Sequence, residues 1–290
     1  MKAAPFAYSR VSSIEAALRI LEEGAASGEE VRVLSGGQSL VPMLAMRLCR
    51  PDRLVDINPV GGLAYVTSRG DRVIIGALAR QQEVWLSPDV QGVPLLSLAI
   101  PWIGHRETRN RGTVCGSLAH ADPSGEIPAI VALLDARVTV ASASGVREVD
   151  GSAFVTGPFE TTLKQTEIIT AISFPVRGAG EGYGFREAAR RRGDFATVGV
   201  AATVRKAPAG LIEARAVLFG VAAKPIVSDV TNLLRTLDGS LERAMVTGVS
   251  EEVVATVAFT EDIHASASYR KRLARALLAN ALSDALRSAA

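Results

Sequence analysis

Two short glycine-containing segments restrict most tightly what this chain can fold into. Ser35-Gly36-Gly37-Gln38-Ser39 directly follows an apolar run at residues 31–34, and Thr113-Val114-Cys115-Gly116-Ser117 directly follows a cationic stretch at 106–111. Each gathers small residues, backbone N–H groups and hydroxyls in one place. Glycine lets the backbone approach a ligand closely, and successive N–H groups form an anion-binding concavity. Either segment alone reads equally well as an ordinary turn. Two phosphate cradles in one chain point to a ligand with linked phosphates, such as a dinucleotide.

The chain has 290 residues, enough for two domains or one large one. Hydrophobic residues make up 48% and charged residues 21%, a globular composition. A net charge of +2 gives no broad electrostatic footprint for nucleic acid or a membrane surface. The arginines cluster instead at 106–111 and 186–192, as local anion sites would, and aromatics at 5% leave few platforms for stacking bases. No apolar run approaches a membrane span, and the N-terminal residues lack a signal-peptide core, so the expected location is cytoplasmic. Two cysteines, Cys49 and Cys115, cannot ligate an iron–sulfur cluster, and His105, His120 and His264 show no metal spacing. Any redox chemistry here needs an organic cofactor.

Ser12 and Glu15 read as a capping box, followed by helical spacing of Ile14, Ala17, Leu18 and Leu21 and a stop at Gly24. Residues 31–34 read as a buried strand, 40–48 as a helix with Pro42 in its first turn, and 54–57 and 73–77 as strands. Residues 1 to about 57 therefore make a β-α-β-like unit with the first glycine loop at a strand end, where α/β ligand sites lie. Helices are expected at 80–86, 95–103 and 126–134, and strands at 137–141 and 168–174. Residues 178–182 miss the G-x-G-x-x-G pattern; they read as a flexible turn and a domain boundary. Beyond them come strands at 195–205 and 214–221 and helices at 225–237 and 269–286, an α+β arrangement.

Three segments occur in order: Ser-Gly-Gly-Gln-Ser-Leu-Val-Pro at 35–42, Arg-Asn-Arg-Gly-Thr-Val-Cys-Gly-Ser-Leu-Ala-His-Ala-Asp-Pro at 109–123, and Arg-Arg-Arg-Gly-Asp-Phe-Ala at 190–196. Together they resemble the FAD-binding medium subunit of molybdenum hydroxylases, the group of carbon monoxide dehydrogenase, quinoline oxidoreductase and xanthine dehydrogenase. The resemblance covers essentially the whole chain. It implies an α+β fold: a vanillyl-alcohol-oxidase-type FAD-binding domain over 1–177, with subdomains at about 1–57 and 58–177. A C-terminal α+β domain with a small antiparallel sheet follows over 178–290.

The resemblance also implies a cofactor site. Val33, Leu34, Ser35, Gly36, Gly37, Gln38, Ser39 and Leu40 would wrap the FAD pyrophosphate from one side. Thr113, Val114, Cys115, Gly116 and Ser117 would do so from the other, with Ile103 in the same set. Arg109 and Arg111 flank the second loop and could equally hold it by ion pairing. Glu126 stands where the family has an aspartate contacting FAD, and it also suits a positive helix end. Asp122 could be a turn or cap residue, and Ile169 a backbone neighbour of the cofactor within a core strand. Arg186 falls where longer relatives carry a lysine near the flavin, or is a surface charge on a strand. Asp194 and Phe195 lie on a loop approaching the ring. Cys115 departs from the family's paired glycines; it is either a small buried filler or a thiol near the cofactor.

The implied role is electron transfer through non-covalently bound FAD. Molybdenum cofactor and two [2Fe-2S] clusters would be carried by a large and a small partner subunit, assembled as a dimer of heterotrimers. A stand-alone flavin oxidase and a flavin-free scaffold subunit are the alternatives.

Overall fold

The computed structural model describes residues 2–235 and 243–289. Its first layer is a small parallel sheet. β1 (Ala7–Arg10), α1 (Ile14–Ser27), β2 (Val31–Leu34), α2 (Leu40–Ala45) and β3 (Arg53–Asp56) follow one another, and the strands lie in the order β1-β3-β2. β1 was not anticipated, because it is short and largely exposed. Ser13, not Ser12, caps α1: its Oγ accepts the Ala16 N–H at 3.2 Å. Gly24 does not end the helix either. It lies within α1 and faces Val31, whose side chain leaves no room for a Cβ, while the chain leaves the helix at Gly28.

The middle unit begins with β4 (Val66–Arg69) and β5 (Arg72–Gly76). A helical stretch follows: α3 (Gln81–Leu86), α4 (Pro94–Ala99) with a 3-10 turn at 100–102, α5 (Arg106–Arg109), α6 (Val114–His120) and α7 (Glu126–Leu133). Then come β6 (Arg137–Ser142), β7 (Gly145–Asp150), α8 (Gly151–Phe154), β8 (Val155–Gly157), β9 (Glu160–Thr161) and β10 (Ile168–Pro175). The main sheet runs β4-β5-β10-β6-β7 and is antiparallel throughout. Every residue of α7 is buried, so this helix forms the centre of the core. Residues 113–117, read from sequence as a loop, are instead the cap and first turns of α6.

The third unit has β11 (Glu181–Ala188), β12 (Val198–Ala207), β13 (Gly210–Phe219) and β14 (Ile226–Asp229) in sequential antiparallel order, with α9 (Thr231–Arg235), α10 (Arg243–Ala255) and α11 (Ala267–Ser288). The helix expected at 225–237 is thus a strand and then one short helix. β-Branched Ile226 and Val227 pair with Leu218 and Val217, and Asp229 accepts the Thr231 N–H to start α9. Residues 236 and 237 of that expectation lie outside the described residues. The turn at 178–182 is shorter than expected, since β11 already begins at Glu181, and the strand expected from 195 begins only at Val198.

The two faces of this sheet pack differently. On one, α11 lies flush against β11: a Cβ at Gly184 would sit 2.0 Å from the Ala281 carbonyl oxygen, so only glycine permits the approach. On the other, Phe185, Ala201, Val217 and Phe219 join Ile100, Ile127 and Phe174 in the principal hydrophobic core. That core therefore spans the middle and C-terminal units. Each large apolar side chain fully buried in it contributes about 1.5–3 kcal/mol.

Candidate functional site

The two glycine segments meet. The first leaves the end of β2, with Gly37 in the left-handed region at φ 72°, and the second opens α6. Ser35 Oγ and Thr113 Oγ1 are 3.1 Å apart. Gly36 lies directly on the backbone before the second segment: a Cβ there would be 2.4 Å from the Arg111 carbonyl oxygen and 2.8 Å from Gly112 Cα. The demand for glycine at 36 thus comes first from contact between the two loops.

A polar relay fixes this contact. Asn58 Nδ2 donates to the Ser35 carbonyl at 2.9 Å and to Asp56 Oδ1 at 2.6 Å. Arg80 donates to Asn58 Oδ1 at 2.6 Å and to the Arg111 carbonyl at 2.6 Å. One arginine therefore ties both loops to the same asparagine. Asp56 anchors the relay at its base, where the Tyr8 hydroxyl donates to it at 2.5 Å. Burial alone would raise its pKa, but hydrogen bonds from Tyr8 and from both N–H groups of Asn58, with Arg10 nearby, hold the pKa below its ordinary value. A depressed carboxyl stabilises the fold above its unfolded pKa and ceases to do so as pH falls through the folded one. The N-terminal layer is therefore expected to loosen in acid, below about pH 4, where aspartate ordinarily titrates. Asp56→Asn should flatten that acid limb in a circular-dichroism titration; an unchanged limb would remove Asp56 as its source.

What the loops offer a ligand is a set of free donors. Among the described residues, the N–H groups of Gly36, Gly37, Gln38 and Ser39 find no acceptor, and neither does that of Cys115 in the first turn of α6, while Thr113 forms a backbone bridge to Arg80. Thr113 caps α6, its Oγ1 accepting the Gly116 N–H at 3.0 Å. A Cβ at Gly116 would crowd that hydroxyl at 2.6 Å. No carboxylate lies among these residues, and apposed N–H donors at a strand end and a helix start suit a pyrophosphate. The residues present fit the phosphates of a dinucleotide. Asn58 and Arg80 were not recognised from sequence, because both act through partners more than 20 positions away; the only local signal was a polar pair beside apolar strands.

Cys115 turns away from this surface. Its Sγ points into the core, 3.8 Å from the Ile75 carbonyl, and burial pushes its thiol far above the usual range. This geometry is that of the small buried filler. Cys115 is expected to resist a thiol reagent in the native chain while Cys49, only half-buried, reacts. Equal labelling rates for the two would refute this placement.

The remaining residues are spread around the loops. Arg109 holds the turn before them, donating to the Ile103 and Gly104 carbonyls at 3.1 and 3.0 Å and to Gln82 Oε1 at 3.2 Å. Ile103 is half-buried against the principal core. Val33, Leu34 and Leu40 flank the first loop, and Ser117 lies one turn into α6. Asp122 closes a turn, Oδ1 accepting the Ser124 N–H at 2.8 Å, and burial raises its pKa. Glu126 is buried at the start of α7 and Ile169 within β10. Asp194 and Phe195 lie on the loop after β11, where Phe195 is exposed; neighbouring Gly193 packs against Gly104 and His105. Arg186 is not gathered with the loops. It lies on the β11 face turned to α11 and pairs with Asp284, whereas Phe185 and Glu187 face the middle unit. Glu187 was not singled out from sequence.

Comparison with known proteins agrees with this architecture. Residues 4–177 match the family described as FAD binding domain in molybdopterin dehydrogenase, and residues 183–285 match the CO dehydrogenase flavoprotein C-terminal domain. The chain is 36% identical to the 6-hydroxypseudooxynicotine dehydrogenase complex subunit alpha of Paenarthrobacter nicotinovorans, covering 100% of this chain and 97% of that one. The carbon monoxide dehydrogenase structure from Hydrogenophaga pseudoflava superposes with a TM-score of 0.92 at 30% identity, covering 100% of both chains. Quinoline 2-oxidoreductase from Pseudomonas putida 86 gives 0.91 at 30% identity, covering 100% of this chain and 99% of that one. The chain belongs to the family of FAD-binding medium subunits of molybdenum-containing dehydrogenases, and carries that family's FAD-binding and C-terminal flavoprotein domains.

Proposed function

We propose that this chain is the FAD-carrying electron-transfer subunit of a heterotrimeric molybdenum hydroxylase. It takes electrons from [2Fe-2S] clusters of a small partner and passes them to an external acceptor, while a large partner carries the molybdenum cofactor and the substrate pocket. The observation that supports this most is the apposition of two loops whose free N–H donors suit a pyrophosphate, in a chain of this family. Bound FAD supplies the redox chemistry; the protein supplies binding, orientation and electrostatics.

In this reading residues 1–177 bind the cofactor, with subdomains at about 1–57 and 58–177, and 178–290 close over it. Gly36 to Ser39 and Cys115 hold the two phosphates through backbone N–H groups. The Asn58–Arg80 relay keeps the loops at fixed separation. Trp102 and the 189–197 loop, bearing Arg191, Arg192, Asp194 and Phe195, border the place left for the ring. Among the described residues no group of His, Cys, Asp and Glu is arranged to hold a metal ion, and none of their helices is long and apolar enough to cross a membrane. The named relatives include a dehydrogenase complex subunit, and the same kind of assembly is proposed here, as a dimer of heterotrimers in the cytoplasm.

The test is a visible spectrum of the purified chain, alone and co-expressed with its genomic neighbours. Acid-releasable flavin in the chain alone, with iron–sulfur absorbance appearing only alongside the neighbours, supports the relay reading. Absence of flavin from both preparations overturns it in favour of a scaffold. Flavin reduced by a substrate added to the chain alone would instead show a stand-alone oxidase.

A further inference from the structure

Away from the glycine loops, the boundary between α7 and β11 buries two carboxyl groups. Glu126 is 6% exposed and Glu187 8%. Among the described residues neither makes an ion pair, and Glu187 Oε2 has no hydrogen-bond partner. Glu187 also lines an open cleft of about 330 Å3, together with Trp102, Ala188, Ala189, Arg191 and Arg192. A buried polar atom without a partner is costly to keep, so an orphaned oxygen beside a cleft points to a ligand group that satisfies it.

The pair cannot hold two charges. Burial raises Glu187 most, and the nearby Glu126 carboxyl raises it further. Burial also raises Glu126, opposed by its own N–H at the start of α7 and reinforced by Asp122. On the elements packed against the pair, His120 ends α6, its pKa lowered by burial and raised by Asp122, and Arg191 and Arg192 line the cleft. α4 presents apolar Leu95, Leu96 and Ala99, and β12 sets Gly199 opposite Glu187. At neutral pH Glu187 is therefore a carboxylic acid. Such a group carries one O–H donor and one carbonyl acceptor side by side. This is the complement of an imide edge, an N–H beside a carbonyl, which the flavin ring bears and the phosphates and sugar do not.

We propose that Glu187, buried beside Glu126 at the edge of this cleft, is a binding residue for the imide edge of the flavin ring. This rests on the FAD reading above. Its consequence is that the proton on Glu187 is part of the binding site: FAD is held by the neutral acid and released as the acid ionises.

The experiment uses the full chain stripped of flavin, titrated with FAD over a pH series from about 6 to about 9.5, in wild type, Glu187→Gln and Glu187→Leu. For wild type, affinity is constant at low pH and then falls, approaching tenfold per pH unit once Glu187 ionises, as one linked proton requires. Glu187→Gln keeps a donor and an acceptor without a titrating proton, so it matches wild type at low pH and stays flat. Glu187→Leu binds more weakly than wild type at low pH. In the flavin-free chain, fluorescence of Trp102 on the same cleft titrates with Glu187 in wild type and not in Glu187→Gln. The same pH dependence in Glu187→Gln as in wild type overturns the proposal, as does wild-type affinity in Glu187→Leu. A wild-type chain that binds no FAD at any pH overturns the flavin reading as well, a result distinct from either.

Discussion

Gly36→Ala is expected to strip the chain of flavin while leaving it folded. The added Cβ falls 2.4 Å from the Arg111 carbonyl oxygen and 2.8 Å from Gly112 Cα, both backbone atoms that no side-chain rotation can move aside. The loops must separate, and overpacking of this kind costs about 1–3 kcal/mol. The cost falls where two sets of N–H donors must face one pyrophosphate together. The expected loss is therefore about 100-fold in FAD affinity, roughly 2.7 kcal/mol. Gly61→Ala is the control, because its Cβ would meet nothing within 4 Å. Flavin content on purification and FAD titration of the stripped chain read the effect. Wild-type affinity in Gly36→Ala would mean that the loops adjust freely and that their apposition does not position the cofactor.

Arg270→Leu is expected to give the largest loss of stability. Arg270 is a buried cation of α11, 5% exposed, whose guanidinium donates to the Thr197 carbonyl at 2.8 Å, to the Gly220 carbonyl and to Asp262 at 2.6 Å. Leucine retains apolar bulk but leaves two backbone carbonyls without a donor, at about 1–3 kcal/mol each. In Arg270→Leu, Asp262 is half exposed and returns to water, whereas Asp262→Asn keeps both carbonyl contacts and an amide oxygen as acceptor, so it should cost less than Arg270→Leu. Arg270→Lys should recover only part of the loss, since one ammonium cannot reproduce the planar fork. Denaturant unfolding of the three variants gives the order. Equal midpoints for Arg270→Leu and Asp262→Asn would show that the carbonyl contacts carry little. Thr197 ends the loop bearing Arg191, Arg192, Asp194 and Phe195, so Arg270→Leu should also weaken FAD binding without touching the loops that hold phosphate.

The fold was legible where the chain repeats a local pattern. Helix α1, the strands at β2, β5, β6 and β10, and helices α7 and α11 follow from apolar spacing, and the order of three motifs identified the family. What escaped was decided by distant partners. β1, β4 and β7 are short or half-exposed strands whose alternation carries little contrast, and they exist because neighbouring strands pair with them. Residues 225–237 begin with proline before an apolar run, which suits a helix start; the free edge of β13 turns the first part into β14 instead. In the site, the glycine segments are local and readable, whereas Asn58, Arg80 and Glu187 gain their roles only from what folding brings opposite them. Arg186 shows the same limit: its neighbour in sequence faces the cleft, and strand alternation sends Arg186 to the helix side.

The core shared between the middle sheet and Phe185, Ala201, Val217 and Phe219 makes the two family domains one inheritance rather than two parts. A flavin module cut at the boundary would carry a greasy wound where those side chains had been, and a foreign C-terminal half would have to supply matching shapes to heal it. Exchange between relatives should therefore transplant the whole chain, and adaptation to a new acceptor should proceed by changes in loops such as 189–197 that leave the seam intact.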